Sequence, residues 1–264
     1  MNIGFIGCGN MGGALALAVS KHPDAKIYLC DTDNAKTAAL SLATGGEVAD
    51  IYEVAEKCDY VFLGIKPLGA TAVLATIKDK ILKNERCTII SMMAGVKIEK
   101  IESILSARPP IIRILPNTPV TVGRGMTVFS TNLMVTEKSK QEFLDFMAAS
   151  GTLSEIPEEK IDAACAVMGC GPAFAYMFAD ALAEGGVSCG LDEDEAILYA
   201  AEMMRGAAEM ILQSTKTPER LREEVCSPGG STIEGVKVLF AEEFPEICKK
   251  AVQASFKRTQ ELGK

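Results

Sequence analysis

Short apolar, β-branched runs alternate with longer stretches of helical periodicity through the first half of the chain. Segments 3–6, 26–30, 60–65, 88–92 and 111–115 read as strands, and the intervals between them are long enough to hold helices. Such alternation predicts a parallel sheet, because parallel neighbours need a long crossover that usually holds a helix. Two later runs, 125–131 and 152–156, lack a crossover of the same quality and are expected as mixed or antiparallel edge strands, with the sheet ending near Pro157. From Glu158 onward the apolar residues follow helical spacing, and Ile197, Ala200, Ala201, Met204, Ala208 and Ile211 would share one stripe. Helix starts are signposted by Asp192 with Glu195, a capping-box pattern, and by Thr217 followed by Pro218. The Ala-, Met- and Gly-rich helices suit close packing across a dimer interface.

A length of 264 residues admits two domains, and 48% hydrophobic with 23% charged residues places the chain among folded globular proteins rather than disordered ones. The formal net charge of -8 offers no basic face for nucleic acid or an anionic membrane, so neither is expected as a partner. The N-terminus lacks the basic start of a signal peptide and carries glycines through its apolar part, so it reads as strand, turn and helix. The uncharged stretch 163–179 is short for a membrane span, is broken by Gly169, Gly171 and Pro172, and reads as a buried helix. Nine cysteines form no C-x-x-C pair and have a single histidine for company, which points to reduced thiols, a cytoplasmic location and no metal site.

Chemistry enters at Gly7-Cys8-Gly9-Asn10-Met11-Gly12, a G-x-G-x-x-G turn directly after a strand and at the opening of a helix. The first glycine permits the turn, the second lets the backbone approach a pyrophosphate, and the third allows close helix packing, while helix amides receive the charge. Ile6 leads into this turn. At the end of the second strand, Asp31 can accept a hydrogen bond from an adenosine 2′-hydroxyl and would repel a 2′-phosphate, which favours NADH; alternatively it opens a turn or caps the next helix. Thr32 and Lys36 leave room for NADPH, so either coenzyme is expected. The fold expected is an α/β Rossmann-like dinucleotide-binding domain over 1–157, followed by an all-α C-terminal domain over 158–264 that binds substrate and dimerises.

The chain resembles the pyrroline-5-carboxylate reductase family along nearly its whole length. The likeness rests on the glycine turn, Gly64-Ile65-Lys66-Pro67, Ala94-Gly95-Val96, Pro116-Asn117-Thr118-Pro119, Gly123-Arg124-Gly125-Met126 and Cys226-Ser227-Pro228-Gly229-Gly230-Ser231-Thr232-Ile233-Glu234. It implies reduction of the cyclic imine 1-pyrroline-5-carboxylate to L-proline by NAD(P)H, the last step of proline biosynthesis, in a homo-oligomer built from dimers. It also implies that Gly64, Ile65, Lys66, Pro67, Met93, Ala94 and Asn117 lie against the coenzyme. Gly229, Gly230, Ser231 and Thr232 would hold the substrate, with Thr232 as the catalytic residue near the ring nitrogen. Ser231 with Glu234 also reads as a capping box.

Departures from the family are concentrated at Met168-Gly169-Cys170-Gly171-Pro172-Ala173-Phe174, where many members read Ser-Gly-Ser-Gly-Pro-Ala-Tyr. Packing beside the pocket is the role expected of Met168, Cys170 and Phe174. Ile51 falls where many members place an asparagine near the coenzyme ribose, and Thr215 where some have a glutamate close to the substrate. His22, the sole histidine, precedes Pro23 at a helix end and is no candidate acid or base. Two rivals exist. A β-hydroxyacid dehydrogenase-like enzyme would rely on a lysine in the helical half, yet residues 161–201 contain none; a non-catalytic dinucleotide sensor would not need the loop around Ser227 to Thr232.

Overall fold

The computed structural model describes residues 1–262. Packing divides the chain into two compact units, Met1–Cys170 together with the stretch from Ser255, and Gly171–Ala254. The first is built on an eight-stranded sheet in the order β3-β2-β1-β4-β5-β6-β7-β8. Strands β1 (Asn2–Ile6), β2 (Lys26–Cys30), β3 (Glu47–Val48), β4 (Tyr60–Leu63), β5 (Thr88–Ser91) and β6 (Ile111–Pro116) pair in parallel. All five strands expected in the first half are present. β3 was not foreseen: at two residues it carries no periodicity to read, and it is set by its pairing to Tyr28 and Leu29.

β7 (Gly125–Thr131) runs antiparallel to β6, and β8 (Gly151–Glu155) runs parallel to β7. The link between β6 and β7 is a short 3-10 turn at Thr118–Val122, too brief for a crossover, so the chain must reverse. Between β7 and β8 lies the helix α6 (Glu137–Met147), which supplies the crossover a parallel pair requires. The sheet is therefore mixed, with β8 rather than β7 at its edge.

Both faces of the sheet are covered, which is why β4 and β5 are buried at every residue. One face packs α1 (Asn10–Val19) and α6 in a cluster that includes Phe5, Leu15, Phe62, Phe143 and Phe146, with Phe5 stacked on Phe62 at 4.4 Å. The other packs α3 (Ile51–Lys57), α4 (Ala70–Lys83) and α5 (Ile98–Leu105) through Val54, Leu74, Ile77 and Ile101. Each such side chain contributes about 1.5–3 kcal/mol. α2 (Asn34–Thr44) follows β2, capped by the Asp33 carboxylate on the amides of Ala35 and Lys36.

The expected boundary at 157/158 follows the last strand, but packing holds residues through Cys170 with the sheet. The buried Arg113 of β6 pairs with Glu158 at 3.0 Å and with Asp162 at 3.3 Å, the latter in α7 (Ile161–Ala164). A π-helical turn, Cys165–Gly169, then leads to α8 (Gly171–Ser188).

The second unit is helical: α8, α9 (Glu193–Gln213), α10 (Pro218–Val225), α11 (Ser231–Ala241) and the first part of α12 (Phe244–Leu262). Small residues let α8 and α9 approach, with Ala196 next to Gly186. The stripe expected on α9 is not a core stripe within the single chain. Ala200 is buried, but Ile197 and Ile211 are 48% and 47% exposed. The apolar stretch Glu158–Ser188 is likewise long and apolar enough to cross a membrane, and only 11% of its apolar 18-residue window is buried within the single chain, so it is not the buried helix expected. Spacing reveals an apolar face but not whether the same chain covers it.

The two helix starts also differ. Thr217 caps α10 by accepting a hydrogen bond from the Arg220 amide, whereas Asp192 makes no capping bond to α9. Thr217→Ala should therefore cost about 1 kcal/mol in urea unfolding. Asp192→Ala should cost only about 0.3 kcal/mol, the part due to the helix dipole.

Candidate active site

β1 and β4 are neighbours although β2 and β3 intervene in sequence, so the carboxyl ends of β1, β2 and β4 flank the point where the chain's direction of winding reverses. A cleft of about 780 Å³ opens there. Its floor is the glycine turn. Gly7 has φ +101°, and a Cβ on it would lie 2.4 Å from the Gly64 oxygen. A Cβ on the buried Gly12 would lie 2.1 Å from the Gly7 oxygen, so this glycine sets the approach of α1 to β1. Gly9 is the opposite case, with nothing within 4 Å of its Cβ position. α1 begins at Asn10 with no side-chain cap, leaving first-turn amides for an anion.

These features fit a dinucleotide. Ile6, Gly7, Gly9, Asp31 and Thr32 line the cleft on one side, and Gly64, Ile65 and Lys66 line it on the other. Sequence reasoning missed the wall formed by Val48, Ala49, Asp50 and Val73, which follows from the unforeseen β3 and from the packing of α4. Ile51, where the family often has a polar residue, faces the same cleft. Lys66 also borders a second cleft of about 880 Å³, which holds Pro67 and Ala94.

Several residues expected at the coenzyme have side chains engaged by other partners. The Cys8 amide is spent on Asp31 Oδ2 at 2.6 Å, and its thiol, pushed up to about 12 by burial and then by the charges of Asp31 and Cys30, packs in the core. Asn10 is exposed toward the outer side of α1, with Cys8 and Thr121, while Met11 is half-buried against the core. Met93 is 2% exposed and belongs to the cluster beneath α5, so its side chain does not face the cleft. Asn117 is buried and internally satisfied: its Nδ2 donates to the Met168 oxygen at 3.0 Å, and its Oδ1 accepts from the Met126 amide at 2.8 Å. It clips the π turn to the end of β6, so that Met168, Gly169 and Cys170 are positioned by packing and backbone bonds.

Asp31 is the most engaged polar group in the cleft. Besides Cys8, it accepts the Asp33 amide at 2.9 Å and the Thr32 hydroxyl at 3.4 Å. Burial pushes its carboxyl up, but the Asp33 and Cys8 amides and the Lys36 charge outweigh that and hold it below the usual carboxylate value. His22 sits in the turn after α1, where its Nδ1 accepts the Asp24 amide, away from this cleft.

In the helical unit, α10 and α11 are joined through Cys226 and Ser227 to a turn in which Gly229 has φ +75° and the Gly230 amide donates to the Ser227 oxygen at 3.1 Å. Gly230, not Ser231, occupies the cap position of α11 and supplies no side-chain bond. The expected Ser231–Glu234 box does not form, because Ser231 is already the first helical residue and Glu234 pairs with Lys237 at 2.7 Å. Ser231 and Thr232 are exposed in the uncapped first turn. Arg113 was also missed, although a lone arginine within an otherwise apolar strand is a legible sign of a buried ion pair.

An open sheet with a glycine turn at its switch point, joined to a helical C-terminal part, defines a dinucleotide-binding protein. Residues 2–95 match the family model described as NADP oxidoreductase coenzyme F420-dependent, and residues 158–262 match the one described as pyrroline-5-carboxylate reductase dimerisation. A pyrroline-5-carboxylate reductase from Aquifex aeolicus is 36% identical, covering 99% of this chain and 97% of the relative. Among solved structures, a pyrroline-5-carboxylate reductase from Coxiella burnetii is 31% identical with a TM-score of 0.91, covering 100% of this chain and 98% of its own. The pyrroline carboxylate reductase of Plasmodium falciparum, solved with NADP bound, is 29% identical with a TM-score of 0.88 and the same coverage. The chain belongs to the pyrroline-5-carboxylate reductase family.

Proposed function

We propose that the protein reduces 1-pyrroline-5-carboxylate to L-proline with NADH or NADPH. The observation that carries this reading is a likeness that runs through both the dinucleotide cleft and the helical part. Bound in the cleft, the coenzyme supplies the hydride that the C=N carbon accepts. The chain's own residues do the rest. Gly9 and the first turn of α1 take the pyrophosphate, while Ile65, Lys66, Pro67 and Ala94 border the nicotinamide end. The uncapped amides of Ser231 and Thr232, beside Gly229 and Gly230, receive the substrate carboxylate. The Thr232 hydroxyl accepts a hydrogen bond from the protonated ring nitrogen and holds the more electrophilic iminium form; threonine is too weak an acid to supply that proton, which arrives with the substrate or from solvent.

Residues 1–157 carry the coenzyme and 158–264 carry the substrate loop and self-association. The exposed faces of α8 and α9 are covered by a second copy, in a homo-oligomer assembled from dimers. The apolar stretch Glu158–Ser188 belongs to that interface and not to a membrane. The net charge of -8 gives nucleic acid no purchase, and the protein works in the cytoplasm.

The test is coenzyme oxidation and proline formation with 1-pyrroline-5-carboxylate, against 1-pyrroline lacking the carboxylate. The carboxylated substrate should be reduced far faster, and Thr232→Ala should lose about tenfold in kcat/KM, the worth of one hydrogen bond at a charged group. Unchanged kinetics in that variant would remove Thr232 from the site, and absence of proline would overturn the activity.

A further inference from the structure

The charged residues that line the adenosine end of the cleft are both carboxylates, Asp31 and Asp50. Asp31, at the end of β2, is pinned by amides on both carboxylate oxygens: Oδ2 takes the Cys8 amide at 2.6 Å and Oδ1 the Asp33 amide at 2.9 Å. It cannot swing aside without breaking the glycine turn, yet its remaining lone pairs can accept from a hydroxyl. Asp50, also in the lining, is fixed as the cap of α3, its Oδ1 taking the Tyr52 and Glu53 amides at 2.8 Å each. The Cys30 thiol in the same wall is pushed up by burial and then by the charges of Asp31 and Asp50, so both carboxylates act on one place. Among the described residues no arginine lines the cleft, and the one lysine that does, Lys66, follows β4 rather than β2. Lys36, whose charge helps hold the Asp31 carboxyl down, lies outside the lining and is paired with Asp33 at 3.4 Å.

Resting on the reading of this cleft as the coenzyme site, we infer that the protein selects NADH over NADPH, with Asp31 the selecting group and Asp50 reinforcing it. A ribose 2′-hydroxyl donates to Asp31, whereas a 2′-phosphate brings about 1.5 to 2 negative charges against two fixed carboxylates, with the nearest cation, Lys36, outside the lining and paired with Asp33.

Direct binding without substrate tests this separately from turnover. NADH and NADPH are titrated into the intact protein, and nicotinamide fluorescence is read. NADH should bind at least tenfold more tightly, and the gap should narrow as salt rises from about 0.05 to about 0.5 M, because screening weakens the repulsion. Asp31→Asn keeps an acceptor for the Cys8 amide and removes the charge, so it should close the gap mainly by improving NADPH. Asp50→Asn, which retains a good helix cap, should close part of it and serves if the Asp31 variant does not fold. Equal affinity of the two coenzymes for the unaltered protein overturns the inference, as does an unchanged ratio in a folded Asp31→Asn. Failure of both coenzymes to bind would overturn the coenzyme-site reading itself.

Discussion

Gly9→Ala and Gly12→Ala should both weaken coenzyme binding severely, but only the second should damage the fold. At Gly12 an added methyl would sit 2.1 Å from the Gly7 carbonyl oxygen, a backbone atom with no freedom to yield. α1 would have to lift from β1, and the overpacking should cost about 3 kcal/mol. Gly9 has φ -68° and ψ -170°, which alanine adopts without strain, and nothing lies within 4 Å of its Cβ. Its stability should be unchanged or raised by about 0.5 kcal/mol, because alanine restricts the unfolded chain. Coenzyme affinity should nevertheless fall about a hundredfold, since the methyl fills the space through which a pyrophosphate approaches the backbone. Thermal unfolding and a coenzyme titration separate the two effects. A Gly9→Ala protein that binds normally would show that the pyrophosphate does not lie over this turn.

Arg113→Met should be the most destabilising substitution away from the cleft, by about 3 kcal/mol in urea unfolding. Arg113 is 3% exposed and its guanidinium joins Glu158 and Asp162, and Glu158 Oε1 also accepts the Ile98 amide at 2.8 Å, where α5 begins. One cation thus ties β6, α5 and the segment after β8 together. Methionine would fill the space but leave two carboxylates facing each other. Each is about a quarter exposed and so partly rehydrated, which places the cost at the lower end for a broken buried pair. Asp162→Asn should cost less, because Glu158 stays paired. An Arg113→Met protein as stable as the parent would show that the network is replaceable by packing alone.

Features coded by neighbours in sequence were legible in the chain. The strands other than β3, the glycine turn, the Thr217 cap and the placing of Asp31 after β2 all depend on residues within a few positions of one another. The family motifs added Lys66, Ala94 and the Ser227 to Thr232 loop to the expected site. Local signals misled where a side chain had two possible partners. Asp192 and Ser231 have cap-like spacing, but the bond depends on where the helix actually starts. Asn117, placed against the coenzyme by the family likeness, has its side chain bonded to Met126 and Met168, the latter 51 residues away.

What the sequence determined by itself was the sheet's core, the glycine turn and the charge at the end of β2, because hydrophobic period and backbone freedom are local properties. Only the tertiary structure decided which apolar faces the chain buries, that Arg113 holds the segment after β8, and that Asp50 joins Asp31 in one cleft. Those outcomes depend on distant elements meeting, and burial, ion pairing and electrostatic fields are set by whatever surface arrives from elsewhere in the chain.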